Sequence, residues 1–291
     1  RSSKGPSHMS SVLTAVQLEF FAENGYLILD AAFDADEVAR MRADADAILE
    51  LTLNSSVANG RRSGRLDMRS RPDGVVVVRK IQPINDLSVC LTQVAADERL
   101  VGPLAALMGD DPVLMEEKLN YKQPLAGPVD GIEARVMDDS FPVHNDWAYY
   151  RAQDYPQGIL SSAVSMDACT LDSGPIRVWP GTHREHIEHE SMSNGLQVTE
   201  GSLDFDGGVD VLAPPGSVMI FHALLVHNSR PNVSGRPRRL MIFSHYPKAA
   251  DMGADVRNGP TRLRESPYEW EYQRRKARGE YVDTFTAPTT A

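Results

Sequence analysis

Apolar and polar positions first fall into a helical rhythm. In "TAVQLEFFAENGYLIL", Thr14 and Gln17 stand at capping-box spacing, Leu18, Phe20 and Phe21 supply the apolar face, and Asn24-Gly25 ends the run. The "YLIL" that follows reads as a strand. A second helix is predicted from Asp34 to Leu51, with Asp34 and Glu37 at its start and Val38, Met41, Ala45 and Ile48 at helical spacing.

Beyond the polar stretch "NSSVANGRRSG", read as a loop, the rhythm changes to that of a β protein. Short strands are predicted at "GVVVVRK", "PVLMEEKLNYK", "ILSSAVSMDA", "IRVW", "VDVLA", "SVMIFHALLVH" and "RRLMIFSHY", with Gly, Pro and Asp turns between them. Many short strands without alternating helices predict a sandwich or jelly roll rather than a parallel α/β sheet. "GDDP" reads as a turn, and the charged tail "RLRESPYEWEYQRRKARGEY" as a solvated, helical outer segment. No repeat, low-complexity block or linker interrupts the chain. The opening "RSSKGPSHM" reads as a tag and protease remnant, so residues 1–8 are set apart and 9–291 are read as one domain starting at Met9.

Composition changes this picture little. Apolar content of 42% and charged content of 24% are those of a soluble globular protein. A formal charge of −10 without a long basic run argues against nucleic acid or an anionic membrane as partner. No apolar run approaches the roughly 18–20 residues of a membrane span, and no signal-like segment follows Met9. Cys90 and Cys169 form neither a CxxC pair nor a disulfide framework. The expectation is a reduced, cytoplasmic protein, monomer or homodimer.

The candidate chemistry begins at "FPVHNDW". If this segment is extended, His144 and Asp146 lie on one side of it, where an imidazole and a carboxylate can bind one cation. Alone, such a pair is a common surface coincidence. "LLVHNSRPN" adds His227 at the end of an apolar strand, where a buried neutral imidazole can coordinate through one nitrogen. Two histidines and one carboxylate on one face of an octahedron make the non-haem Fe(II) facial triad, which leaves three positions for a co-substrate and O₂. Arg238 follows in "HNSRPNVSGRPRRL", past Ser229 and Asn232. If the chain turns back into a neighbouring strand, Arg238 can grip a carboxylate bidentately with help from the Ser229 hydroxyl, as the far end of 2-oxoglutarate requires. Arg236 and Arg239 fit a surface reading better, with Arg239 on the opposite face from Arg238.

Taken together, "ENGYLIL", "HND", "DSGPIRVWPGTH", "PPGSVMIFHALLVHNSRPN" and Arg238 resemble the phytanoyl-CoA dioxygenase family of Fe(II)/2-oxoglutarate-dependent oxygenases, which includes ectoine hydroxylase. The resemblance spans nearly the whole chain after Met9. It implies a double-stranded β-helix, a cupin-like jelly roll, with flanking helices. It also implies His144, Asp146 and His227 as iron ligands, and Arg238 and Ser229 at the 2-oxoglutarate C5-carboxylate. In "EKLNYKQP", it places Asn120 and Lys118 as further co-substrate contacts. The segment "LAGPVDGIEARVMDDSF" is longer than its counterpart in the ectoine enzyme.

The expected activity is oxidation, by preference hydroxylation, of an unactivated C–H bond in a small metabolite, a biosynthetic intermediate. Desaturation, cyclisation or epoxidation at the same site is the alternative within this chemistry. A halogenase would lack the carboxylate ligand that Asp146 supplies. From another class, a non-oxygenase jelly-roll metal-binding protein would not need the complete set with Arg238. Trp147, Tyr149 and Tyr150, and a face made by Arg177 and Trp179, are expected at the substrate pocket if that face looks inward. In "HREHIEH", His183, His186 and His189 read as a turn into a short exposed helix. On a helix the outer two point about 120° apart and cannot share an ion. His222 and His245 are expected in the core or pocket wall.

Overall fold

The structure, a computed structural model, describes residues 13–253 and 268–287. The predicted tag remnant and residues 262–267 of the charged tail lie outside the described residues. Helix α1 (Ala15–Asn24) carries the expected reciprocal cap between Thr14 and Gln17, and Gly25 ends it in the left-handed conformation. Strand β1 (Tyr26–Leu29) follows directly.

Helix α2 (Ala35–Ala58) starts where predicted but runs two turns further, through "NSSVA". The polar residues read as a loop are bonded inward. Ser56 donates its hydroxyl back to the Thr52 carbonyl and accepts the Ser63 N–H at 3.0 Å. Asn54 gives its amide to the carbonyls of Glu50 and Phe285, and its oxygen accepts the Phe285 N–H. Tertiary partners thus override a weak helical pattern.

Strands β2 (Leu66–Ser70) and β3 (Val76–Ile81) lead to helices α3 (Val89–Ala95) and α4 (Glu98–Met108). The long β4 (Pro112–Pro124), short β5 (Arg135–Val136) and β6 (Phe141–His144) precede a single helical turn, α5 (Trp147–Tyr150). Then come β7 (Leu160–Ser165), β8 (Ile176–Val178), β9 (His189–Met192), β10 (Gly195–Val198) and β11 (Val209–Asp210). Strands β12 (Val218–His222), β13 (His227–Ser229) and β14 (Leu240–Pro247) and helix α6 (Tyr268–Ala277) complete the described elements.

The strands form an eight-stranded sheet in the order β1-β12-β7-β14-β4-β3-β2-β5, a four-stranded sheet β11-β8-β13-β6, and the hairpin β9-β10. This is the jelly roll the strand pattern predicts. One expected strand, "SVMIFHALLVH", is two: β12 belongs to the large sheet, and after a turn at 223–226 the chain enters the small one as β13. The long segment after β4 adds β5, parallel to β2, at the edge of the large sheet.

The outer face of the large sheet is bedded on the helices. Met41, Ala45, Ile48 and Leu49 of α2 pack with Leu119 and Tyr121 of β4 in one buried cluster, and the Tyr121 hydroxyl donates to the Ala45 carbonyl at 2.6 Å. Each such fully buried aliphatic side chain contributes about 1.5–3 kcal/mol. Helix α6 is not the free outer segment expected. Glu269 and Tyr272 are buried, and Glu269 pairs with the buried Arg65 at 3.3 Å.

Candidate functional site

The small sheet and the inner face of the large one enclose a cavity of about 300 Å³. Antiparallel pairing of β13 with β6 sets His227 opposite His144. Beyond His144 the chain leaves extended geometry, and Asp146 takes helical angles at the start of α5 (φ −64°, ψ −32°). That turn, not a continuing strand, brings its carboxylate to the histidines. Asp146 Oδ1 lies 3.7 Å from the Nε2 atoms of both His144 and His227, and all three ligand atoms fall within 4.8 Å of one another.

The orientation of each ring is set by its other nitrogen. His144 Nδ1 donates to the Pro142 carbonyl at 2.7 Å and His227 Nδ1 to the Leu225 carbonyl at 2.9 Å. A carbonyl only accepts, so Nδ1 carries the proton and the Nε2 lone pair faces the shared space. Burial, then the neighbouring His144, push His227 down to about 4, so it is neutral at pH 7. Burial alone would raise the Asp146 carboxyl. The Lys118 charge and the two imidazoles outweigh it and hold Asp146 far below the usual carboxylate range. The Ser161 hydroxyl donates to its second oxygen at 3.3 Å.

Arg238 lines the same cavity and is 1% exposed. Its Nη2 donates to the Gly174 carbonyl at 2.8 Å, while Nε and Nη1 have no partner among the described residues. Gly174 has φ +65°, and a side chain there would collide with the Arg230 carbonyl, so glycine lets the backbone come close enough to hold the guanidinium. Ser229 and Asn120 are buried in the same wall, the Asn120 side-chain Oδ1 without a partner among the described residues, and Lys118 stands beside them. Lys122 is kept out of the cavity, its ammonium given to the Arg230 carbonyl.

Other expectations need correction. Tyr149 and Tyr150 line the cavity; Trp147, Arg177 and Trp179 do not. The α5 turn aims Trp147 away, with its indole N–H donating to the Tyr155 carbonyl at 2.9 Å. On β8 it is the Ile176 face that looks inward. Arg177 lies on the other side and bonds the Asp206 carbonyl and Asp210, while the buried Trp179 donates to the Asp204 carbonyl at 2.7 Å. Arg239 is buried rather than on the surface, although it does lie on the face opposite Arg238, bonded to Asp46 and Asp167. The histidines of "HREHIEH" form no exposed helix: His183 sits in a 3₁₀ turn, and His189 opens β9, its Nε2 accepting the Asn145 N–H at 3.0 Å. His222 and His245 are away from the triad, with His245 buried in β14.

Residues not anticipated complete the walls. Arg79 and Lys80 of β3, and Glu116 of β4, face the cavity. The alternation Glu116, Lys118, Asn120 on one strand face was a readable signal for Glu116. Over the mouth lies the tip of the β9-β10 hairpin. Leu196 N–H donates to the Tyr149 hydroxyl at 2.8 Å, and Arg135 donates to the Ser193 carbonyl at 2.9 Å.

Two nitrogens and a carboxylate oxygen suit a divalent iron, and an orphaned buried guanidinium in the same cavity suits a dicarboxylic co-substrate. Family, fold and donor set make this an Fe(II)/2-oxoglutarate-dependent dioxygenase. The chain belongs to the phytanoyl-CoA dioxygenase family, whose model matches residues 21–240. It is 26% identical over 248 residues to the ectoine dioxygenase of Sphingopyxis alaskensis, covering 78% of this chain and 73% of that one. It is 22% identical over 247 residues to the probable alpha-ketoglutarate-dependent hypophosphite dioxygenase of Stutzerimonas stutzeri, covering 79% and 78%. The crystal structure of EctD from S. alaskensis with 2-oxoglutarate and 5-hydroxyectoine superposes with a TM-score of 0.61 at 25% identity, over 88% of this chain and 83% of that one. No helix among the described residues is long and apolar enough to cross a membrane.

Proposed function

We propose that this enzyme hydroxylates a C–H bond of a small metabolite. His144, Asp146 and His227 hold the iron, Arg238 with Ser229 holds the C5-carboxylate of 2-oxoglutarate, and Asn120 and Lys118 add co-substrate contacts. The observation that carries the reading is the buried Arg238, its Nε and Nη1 without a partner among the described residues, in one cavity with the convergent triad. When bound, Fe(II), 2-oxoglutarate and O₂ supply the oxidant that removes the substrate hydrogen, with succinate and CO₂ as by-products.

The chain's own tasks are positional. The two Nδ1–carbonyl bonds lock the imidazoles before metal arrives. The guanidinium fixes one end of the co-substrate and so orients the other toward the triad. The sheet walls and the hairpin restrict water around the reacting carbon. A cavity of about 300 Å³ is at the small end of ligand pockets, which favours a small molecule. The relatives named for ectoine and hypophosphite act on small molecules too. The test is a metabolite screen for Fe(II)- and 2-oxoglutarate-dependent succinate release, with mass analysis of the product. Gain of one oxygen atom supports hydroxylation; loss of two hydrogens means desaturation or ring closure. Absence of any succinate from the iron-loaded protein sinks the reading.

A further inference from the structure

Arg79 and Lys80 are consecutive on β3, yet both line the cavity. In a regular strand, neighbours face opposite sides. Here β2 sets Met68 opposite Val78 and Asp67 opposite Lys80, so Arg79 is the extra residue of a β-bulge. The bulge turns two cations toward one space.

Their circumstances differ. Arg79 is fully engaged: its Nε and Nη2 meet Asp67 at 2.9 and 2.7 Å, Nη1 donates to the Ser140 carbonyl at 2.9 Å, and the Phe141 ring lies 4.2 Å away. Lys80 has no hydrogen-bond or ion-pair partner among the described residues. Two acids, Glu116 and Asp67, attract it without a direct ion pair. Asp67 is shared by Arg69 and Arg79, and Glu116 accepts from Gln82 at 3.0 Å and from the Tyr150 hydroxyl at 2.8 Å. Lys118 and Arg79 face it as like charges. Burial, then those two cations, push the Lys80 ammonium down to about 8.

An ammonium in a cavity beside two other cations, with no direct ion pair among the described residues, is costly, and an anionic ligand would lower that cost. The co-substrate does not require Lys80. On the reading proposed above, the triad's metal would hold one end of 2-oxoglutarate and Arg238 the carboxylate at the other. Arg238 precedes β14, and Lys80 is two strands across, about 10 Å away at the backbone.

We propose that Lys80 is the anion-binding residue of the primary-substrate subsite, and that the substrate carries an oxyanion group: a carboxylate, phosphonate or sulfonate. This rests on the reading of the cavity as the oxygenase site. The test is calorimetric titration of the protein loaded with Fe(II) and 2-oxoglutarate, without oxygen, using butyrate, butylphosphonate and butanesulfonate against neutral butanamide. At least one anion binds and the amide does not. Lys80→Gln weakens anion binding about tenfold or more, and Lys80→Arg keeps it within a few-fold of wild type. The proposal is overturned if no anion binds, if butanamide binds equally well, or if Lys80→Gln binds as wild type does. If Lys80→Gln does not fold, the wild-type contrast between anion and amide and the Lys80→Arg variant decide. A separate titration of the iron-loaded wild type with 2-oxoglutarate keeps the two readings apart. Failure there removes the oxygenase assignment, whereas success there with no anion binding removes only the Lys80 subsite.

Discussion

Arg238 and Arg239 are neighbours in the chain, both 1% exposed or less, and they serve opposite faces of the large sheet. On the outer face, Arg239 is bonded to Asp167 through Nε at 2.8 Å and Nη2 at 3.0 Å, and to Asp46 through Nη1 at 2.6 Å. On the inner face, Arg238 has among the described residues one carbonyl for its five N–H groups. A buried charge that is paired belongs to the fold, and removing its partner is strongly destabilising. A buried charge left unpaired weakens the fold and is kept for something the folded chain does not itself contain. The two faces therefore differ in kind: helices and carboxylates saturate one, and the other is prepared for ligands.

The contrast is tested most severely at the triad. His227→Ala should cut 2-oxoglutarate-dependent succinate formation more than about a hundredfold, since even partners behind metal ligands are worth 10–100-fold. Wild-type turnover in this variant would remove the inner face from the chemistry. Next is Arg238→Met, expected to raise the KM for 2-oxoglutarate about 10–100-fold by loss of charge-assisted bonds. Its melting temperature should hold or rise, because an uncompensated buried cation is gone. A fall would mean that Arg238 supports the fold as Arg239 does.

Arg239→Met reverses the pattern. With Asp46 and Asp167 left without their cation, stability should fall by about 3 kcal/mol in denaturant titration, with little change in KM for 2-oxoglutarate. The last test concerns Lys80. Its ammonium is near 8 in the folded chain against an ordinary 10.5, so between these values the unfolded chain holds the extra proton. Stability of the ligand-free protein should therefore rise as pH goes from 8 to 10.5 and be lost again on descent. Melting curves of Lys80→Met should lack this component; an identical slope in both proteins would place Lys80 with the paired cations.

The sequence was most readable where local pattern and tertiary role agree. Thr14 with Gln17 and Asp34 with Glu37 cap their helices as their spacing says. The triad was legible because histidine and aspartate are scarce in apolar strands, although Asp146 arrives by a helical turn instead of an extended segment. Alternation on β8 separated Arg177 and Trp179 from Ile176 and Val178 but could not say which pair faces the other sheet; packing decides that. Lys80 was hidden for a related reason. Strict alternation allows only one of Arg79 and Lys80 inside, and the bulge that admits both depends on how β3 meets β2. The last turns of α2 owe their order to a segment more than two hundred residues away, which no local window contains.

The hairpin over the mouth carries one further consequence. Gly195 sits at φ +139°, where a Cβ would stand 2.6 Å from the Tyr149 hydroxyl and 3.4 Å from the Pro142 ring. His144, Asp146 and His227 are strand and turn positions of the same cavity, reached from this rim through Tyr149, whose ring meets His144 edge-on. In evolutionary terms the rim can drift, but not one residue at a time. A side chain at 195 would need both a shorter residue at 149 and a hairpin tip redrawn away from positive φ, so natural variants of this chain should keep glycine at 195 wherever Tyr149 is kept.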